Sequence, residues 1–337
     1  MITLKDIAKE CGVSFSTVSK ALKDSSESKE TIDFIKKKAE EMGYHPNIAA
    51  RTLRTNRTYD LGVIFEDKTG SGLQHQYFAK ILSGLQEVAQ TKGYDITFTG
   101  SALNKNYDYY THAIGRNFDG VAILSADFEN EGIKRLLKSD IPTVTLDYIF
   151  DKNHTAIISD NNVGMKELIE YVIQQGHKKI AMIHGEETLV TKERKKIFLE
   201  TTKAHGIQIP DEYFAQGLYH DPITSSEATN ILLSLPNPPT CIFFPDDYSA
   251  LGGIKVINSK NLTIGKDISI VGYDGIMLTS MLLPPLTTYE QDGEKIGKLI
   301  GEELIKNIEQ RSDYENQNIL VSGRILYGGS VAKIDEK

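Results

Sequence analysis

"LKDIAKECGVSFSTVSKAL", residues 4–22, decides how the front of this chain is read. Thr3 stands before it as a helix cap, and Leu4, Ile7 and Ala8 share one face of a helix ending at Cys11. Gly12 permits a sharp turn. Ser14 then caps a second helix, Phe15 to Leu22, with Val18 and Leu22 pointing inward. Two short helices joined at a glycine, with the small Ala8 where they cross, have the helix–turn–helix form. The second helix presents Phe15, Ser16, Thr17, Ser19 and Lys20 outward. Its hydroxyls suit phosphate or base contacts, and Lys20 suits guanine acceptors or phosphate. Thr3 joins this DNA-facing set. The same pattern also serves a small helical protein-interaction head, and spacing alone leaves both readings open.

Moving outward, Ser28 caps a third helix with apolar Ile32, Ile35, Ala39 and Met42, ended by Gly43. The head is assigned to residues 1–46. Next comes "NIAARTLRTNRT", Asn47–Thr58, which carries one large aliphatic side chain, Leu53, close to Arg51 and Arg54. It is too polar for a core, and by itself it reads more readily as an exposed flexible linker with one incidental leucine than as a functional hinge. The 337 residues carry a net charge of −8. The first 60 residues hold 11 Lys and Arg against 9 Asp and Glu, net +2, which leaves −10 for the remainder. An acidic body repels DNA and leaves contact to the head.

From Leu61 the pattern changes. "LGVIF", "DITFT", "VAILS", "TVTLD", "AIIS", "KIAMIH", "CIFF" and "ISIVGY" read as strands. They alternate with amphipathic stretches such as Phe78–Lys92 and Met165–Gln175. Gly93, Gly176 and Gly206 sit where helices end. Repeated strand–helix units imply parallel sheets covered on both faces. In such sheets ligands sit at the carboxyl ends of the strands. The polar residues there are Glu66, Asp67, Ser125, Asp127, Asp147, His184, Asp246, Asp247 and Asp274. Asp67 and Asp247 read as helix N-caps or satisfied loop residues, and Tyr77 and Phe78 suit stacking on a sugar or base face. Two distant cysteines, Cys11 and Cys241, exclude a disulfide framework and a cysteine metal site. No apolar run is long enough to span a membrane, and "MITLKDIAKE" lacks the form of a signal peptide, so the expected location is the cytoplasm.

"TLKDIAKECGVSFSTVSKAL", "GYHPNIAARTLRTNRT", "IPTVTLD", "DNNVG", "GHKKIAMI", "FFPDDYSALG", "ISIVGYD" and "PPLTTYEQD" together resemble the lactose/galactose-repressor (LacI/GalR) family of bacterial transcription regulators. The resemblance runs through nearly the whole chain in order. It implies an all-α helix–turn–helix head, a hinge helix at 47–58, and a two-lobed, periplasmic-binding-protein-like α/β body at 60–332 with parallel doubly wound sheets. It implies that two hinges from a homodimer fold in the minor groove of a pseudo-palindromic operator. Asn47 opens that segment. Ala50 lets the two helices approach, Arg51 and Arg54 neutralise phosphates, and Leu53 wedges between base pairs, as minor-groove benders do. Phe15, Ser16 and Lys20 depart from the family's usual hydroxyl or amide and arginine, so no relative's operator is carried over. Lys20 lacks the bidentate fork of arginine.

For the body, the resemblance implies ligand contacts by Arg194, Asp246 and Asp274, with Asp147 and Ser159 lining the pocket. His75 and Tyr77 lie in a loop, Gly70–Phe78, longer than is usual in the family. Several carboxylates with one arginine favour a neutral polyol such as a sugar. Family topology puts 60–155 and 287–312 in the first lobe, and 156–286 plus a strand near Ile319–Tyr327 in the second. The expected function is an effector-controlled repressor with no cofactor, no metal and no membrane partner. No heptad leucine run follows Gly329, so a dimer is expected rather than a tetramer. An enzyme is disfavoured by the lack of a nucleophile elbow, P-loop or HExxH pattern. A solute-binding protein shares the body but needs a signal peptide and no head. A phosphorylated carrier protein as the effector stays open.

Overall fold

The computed structural model describes residues 2–22, 27–44, 52, 57–66, 72–99 and 108–334. The hinge residues Asn47, Ala50, Arg51, Leu53 and Arg54, and Asp67, lie outside the described residues. The chain divides into two units, Met1–Thr58 and Tyr59–Lys337.

The head has α1 (Leu4–Cys11), α2 (Phe15–Ala21) and α3 (Lys29–Glu41). Each begins at the hydroxyl that the sequence offers: Thr3, Ser14 and Ser28 accept from backbone N–H groups of the first turns. Thr3 and Asp6 complete a reciprocal capping box. Gly12 takes the left-handed φ of 67° that the turn requires. Ile7, Ala8, Val18, Ala21, Ile35 and Ala39 form the core. Leu22 is the C-cap of α2 rather than its last residue.

The body's strands are β1 (Asp60–Phe65), β2 (Asp95–Thr99), β3 (Gly120–Ser125), β4 (Thr143–Leu146), β5 (Thr155–Ser159), β6 (Ile180–His184) and β7 (Phe214–Gln216). Then follow β8 (Cys241–Phe243), β9 (Ser269–Asp274), β10 (Thr287–Glu290), β11 (Asn318–Val321) and β12 (Arg324–Leu326). The helices between them are α4 (Gln76–Thr91), α5 (Tyr109–Arg116), α6 (Glu131–Leu137), α7 (Asn161–Gln174) and α8 (Leu189–Ala204). The last three are α9 (Pro222–Leu233), α10 (Asp247–Ser259) and α11 (Gly293–Glu309). Gly93, Gly176 and Gly206 have φ of 74°, 91° and 72°, as helix-ending glycines should.

Two six-stranded sheets result, in the orders β11-β5-β4-β3-β1-β2 and β12-β10-β9-β8-β6-β7. This corrects the expected lobe boundaries. β5 lies in the first sheet, β10 in the second, and the terminal segment splits into β11 in the first and β12 in the second. The chain therefore passes between lobes three times: after β5, after β10 and after β11. All three passages are short and leave from the carboxyl ends of strands. A chain entering the second sheet directly from that end must run back down it, and β12 is accordingly antiparallel to β10.

In the first lobe, α11 packs on α4 with almost no space between backbones. A Cβ on Gly297 would lie 1.9 Å from the Ile81 carbonyl oxygen, and one on Gly84 would lie 2.2 Å from that of Glu294. Ile296, Ile300 and Leu304 of α11 join Leu61, Ile81 and Leu85 in one core. Because the obstruction is backbone, no side-chain rotation relieves it. Gly297→Val is expected to lower the unfolding free energy by at least the ~1–3 kcal/mol typical of overpacking. Denaturant unfolding of the full chain checks this.

Candidate ligand cleft and nucleic-acid interface

A cavity of about 290 Å³ opens between the two sheets. The first lobe contributes the ends of β1, β3 and β4 and the start of α4; the second contributes the start of α8, Tyr219 and Asp274. Most of these lining residues lie at the carboxyl ends of parallel strands, where loops and helix starts leave polar groups unpaired by the sheet.

Arg194, buried within the second lobe at 6% exposure, is the cavity's fixed cation. Its Nε donates to Asn161 Oδ1 at 2.8 Å, its Nη1 donates to the Pro245 carbonyl at 3.1 Å, and its guanidinium lies 3.7 Å from the Tyr273 ring centroid. These contacts fix the guanidinium plane and turn the remaining donors toward the cavity.

Four carboxyls line that cavity, those of Glu66, Glu186, Asp147 and Asp274, and Asp147 and Asp274 both interact with Arg194. Asp147, at φ 52°, accepts the Ser159 backbone N–H at 2.6 Å. Burial pushes its carboxyl up to about 6, against the pull of the Ser159 bond and Arg194. Asp274, at φ 107°, accepts from Gln291 Nε2 at 2.7 Å. Burial, then the charge of Asp246, push Asp274 up to about 7, while Arg194 and Gln291 oppose the rise. Gln291 Oε1 is buried without a hydrogen-bond partner among the described residues.

The walls are aromatic. Phe65 and Phe78 pack at 4.5 Å, and Phe128 lies parallel to Tyr148 at 3.6 Å. Tyr219, whose hydroxyl bonds Thr191 at 2.9 Å, faces them from the second lobe. Burial raises the Tyr219 phenol above its ordinary range and keeps it neutral.

Of the expected ligand residues, His75, Tyr77, Asp147, Arg194 and Asp274 line this one cavity. Two expectations are corrected. Ser159 is not in the lining: it stands behind it, bonding the Tyr77 hydroxyl at 2.9 Å and holding Asp147. Asp246 is not in the lining either. It caps α10, with Oδ1 accepting Ser249 N at 2.8 Å, and its Oδ2 accepts the backbone N–H of His220 at 2.7 Å. Its neighbour Asp247, expected to be a structural acid, is satisfied within the fold: it accepts from Thr288 Oγ1 at 2.6 Å and Ile276 N at 2.9 Å. His184 donates to the Gly185 carbonyl and takes no part in the lining. Gln291, Phe128, Tyr148 and Tyr219 were missed. Gln291 sits in the quoted "YEQD", but its approach to the cavity depends on the passage after β10, which spacing does not reveal.

In the head, Phe15 is 51% exposed, and Ser16 and Lys20 are also exposed along α2. Thr17 and Ser19 are partly covered. The Ser14 hydroxyl gathers those of Ser16 at 2.6 Å and Thr17 at 2.9 Å, forming a hydroxyl cluster at the helix start. Thr3 is engaged in its capping box, its hydroxyl donating to Asp6 at 2.7 Å.

A helix–turn–helix head followed by a two-lobed α/β body with a polar, aromatic-walled cavity is the arrangement of a class of DNA-binding regulators. The family described as bacterial regulatory proteins, lacI family, matches residues 3–47, and the periplasmic binding protein-like domain matches residues 169–331. The chain is 34% identical over 338 residues to the "Probable HTH-type transcriptional repressor ExuR" of Bacillus subtilis (strain 168), covering 99% of each chain. Its fold matches that of the lac repressor dimer bound to operator and the anti-inducer ONPF, with a TM-score of 0.82 at 22% identity over 98% of this chain and 99% of the other. A transcriptional regulator CelR–cellobiose complex has a TM-score of 0.74 at 22% identity, over 98% and 100%. The chain belongs to the LacI family of DNA-binding transcriptional repressors, a family of regulators and not of enzymes.

The raised pKa of Asp274 has a consequence for stability. Asp274 holds its proton more tightly folded than unfolded, so the folded state loses relative stability as pH rises from about 4, the unfolded value, through about 7. Asp274→Asn removes this loss. Denaturant unfolding between pH 4.5 and 8 is expected to give the variant a shallower fall in stability than the wild type.

Proposed function

We propose that this protein is a homodimeric repressor whose affinity for a pseudo-palindromic operator is set by a small polyol, in the first instance a sugar, bound in the cavity. The observation that carries the reading is the fixed Arg194 guanidinium sharing a buried cavity with Asp147 and Asp274, between aromatic walls. Carboxylates accept ligand hydroxyls, the guanidinium donates to ring or hydroxyl oxygens, and aromatic faces cover the apolar C–H face of a sugar ring. At about 290 Å³ the cavity lies near the lower end of the small-ligand range, roughly 300–1,000 Å³. The cellobiose complex of the similar CelR regulator is consistent with this chemistry.

Binding would act by favouring one lobe geometry over another, which shifts the spacing of the two hinges in the dimer. The second lobe supports a partner copy, since it exposes Ile223 and Ile231 on α9 and Met277, Met281 and Leu283 beyond β9. At the hinge, Leu53 is read as the minor-groove wedge, flanked by the phosphate-contacting Arg51 and Arg54. The work is done in the cytoplasm, where the DNA is, and calls for no cofactor or metal.

Fluorescence anisotropy on DNA from the gene's own upstream region, at fixed salt, tests the reading. The titration is repeated across sugars, sugar phosphates and nucleobases. A sugar that shifts the DNA affinity supports the proposal; a response to a nucleobase alone overturns the choice of ligand, and no response at all points to a protein effector. Arg194→Ala is expected to abolish the response while leaving DNA binding intact. Leu53→Ala is expected to weaken specific operator binding while leaving ligand affinity unchanged, and equal operator affinity removes the wedge.

A further inference from the structure

Three rings from both lobes stack in a row at the edge of the cavity. His75, at the start of α4 in the first lobe, lies 4.3 Å from His220 in the second, with their planes 23° apart. His220 in turn lies 4.1 Å from Tyr248 on α10, at 11°. His75 lines the cavity and its ring meets Phe78 edge-on at 5.0 Å. His220 and Tyr248 do not line it. Tyr248, 37% exposed, is the outer end of the row.

The second-lobe end of this row is held from behind. His220 adopts φ 54°, a left-handed conformation uncommon for residues other than glycine, although histidine is among those found there more often. Asp246 holds it: one carboxylate oxygen accepts His220 N, while the other accepts Ser249 N in capping α10. Asp221 N donates to Ser249 Oγ at 3.1 Å, and Ser249 Oγ donates back to Asp246 at 2.8 Å. One buried carboxylate thus sets the His220 backbone and the first turn that carries Tyr248, aligning both rings before the first lobe arrives.

We infer that His75, His220 and Tyr248 form a latch that holds the two lobes closed, and that His220 and Tyr248 are positioning residues which set lobe closure without touching ligand. Parallel and offset ring pairs contribute beyond the area they bury; the His220–Tyr248 pair lies within the second lobe and presents the His220 face, and the His75–His220 pair joins the two lobes and is lost when they separate. His75 belongs to both cavity wall and latch. A compound that packs against its ring leaves the row intact, whereas one that displaces the ring opens it. The same cavity can therefore serve ligands of opposite effect, selected by their bulk at the His75 end. That last consequence rests on the proposed ligand reading; the latch itself does not.

The test uses the full-length chain with no ligand added. Spin labels are placed at Glu129→Cys in the first lobe and Lys196→Cys in the second, with Cys11→Ser and the buried Cys241 retained; the labelled side chains are 84% and 71% exposed. Pulsed electron–electron resonance reads the distance distribution between lobes. Tyr248→Ala and His220→Asn, the latter chosen because asparagine tolerates the left-handed backbone, are expected to give a longer and broader distribution than the wild type. Tyr248→Phe, which keeps the ring and loses only the hydroxyl, is expected to match the wild type. Tyr248→Ala serves alone if His220→Asn fails to fold. A Tyr248→Ala distribution identical to that of the wild type overturns the latch, as does opening in Tyr248→Phe equal to that in Tyr248→Ala. Failure of every compound in the DNA titration bears on the ligand reading and leaves this result standing.

Discussion

The hydrogen bonds that join Asp160, Val321, Ser322, Gly323 and Tyr289 tie together the passages by which the chain moves between its two sheets. Asp160 N donates to the Val321 carbonyl at 3.0 Å, Ser322 Oγ donates to the Asp160 carboxylate at 3.2 Å, and Gly323 N donates to the Tyr289 hydroxyl at 2.7 Å. Gly323 must be glycine there, because a Cβ would lie 1.9 Å from the Glu290 carbonyl oxygen. With three short connections held together, each sheet presents its carboxyl edge to the other. The cleft is what remains between those edges, and its polar lining follows from which strands end there.

Within the cleft the electrostatics are set by burial. Asp147 and Asp274 are desolvated, which raises both carboxyls toward neutral pH, while the immobilised Arg194 and the hydrogen bonds from Ser159 and Gln291 restrain the rise. A full set of ionised carboxylates at this depth would repel itself. A partly protonated set can both donate to and accept from hydroxyls, as a polyol requires. Asp247, lower in the same lobe, is raised well above its usual range by burial and by Asp274, and it serves the fold by bonding Ile276 and Thr288.

Much of this was legible in the sequence, for local reasons. Thr3, Ser14 and Ser28 mark helix starts, Gly93, Gly176 and Gly206 mark ends, and continuous apolar runs mark buried parallel strands. The strands that escaped notice lack such runs: "FAQ" is a three-residue edge, and "TTYE" is polar by composition although Thr287 and Thr288 are fully buried. The lobe boundaries were misread because nothing local distinguishes a strand that stays in its sheet from one whose successor leaves it. Ser159 and Asp246 were misassigned for a related reason. A residue at a strand end can face the cleft or brace its neighbour, and only the fold decides between the two. The aromatic row of His75, His220 and Tyr248 spans 174 positions of sequence and carries no pattern at all.

The interleaved topology also governs the order in which the molecule is made. The first lobe takes Ile296, Ile300 and Leu304 of α11 into its core and closes its sheet with β11 at Asn318–Val321. A chain emerging from the ribosome therefore holds a first lobe with an open apolar face until its last few dozen residues appear, although the three helices of the head have been complete since residue 41. A message cut short upstream of α11 yields a complete three-helix head attached to a first lobe that lacks both its last core helix and an edge strand.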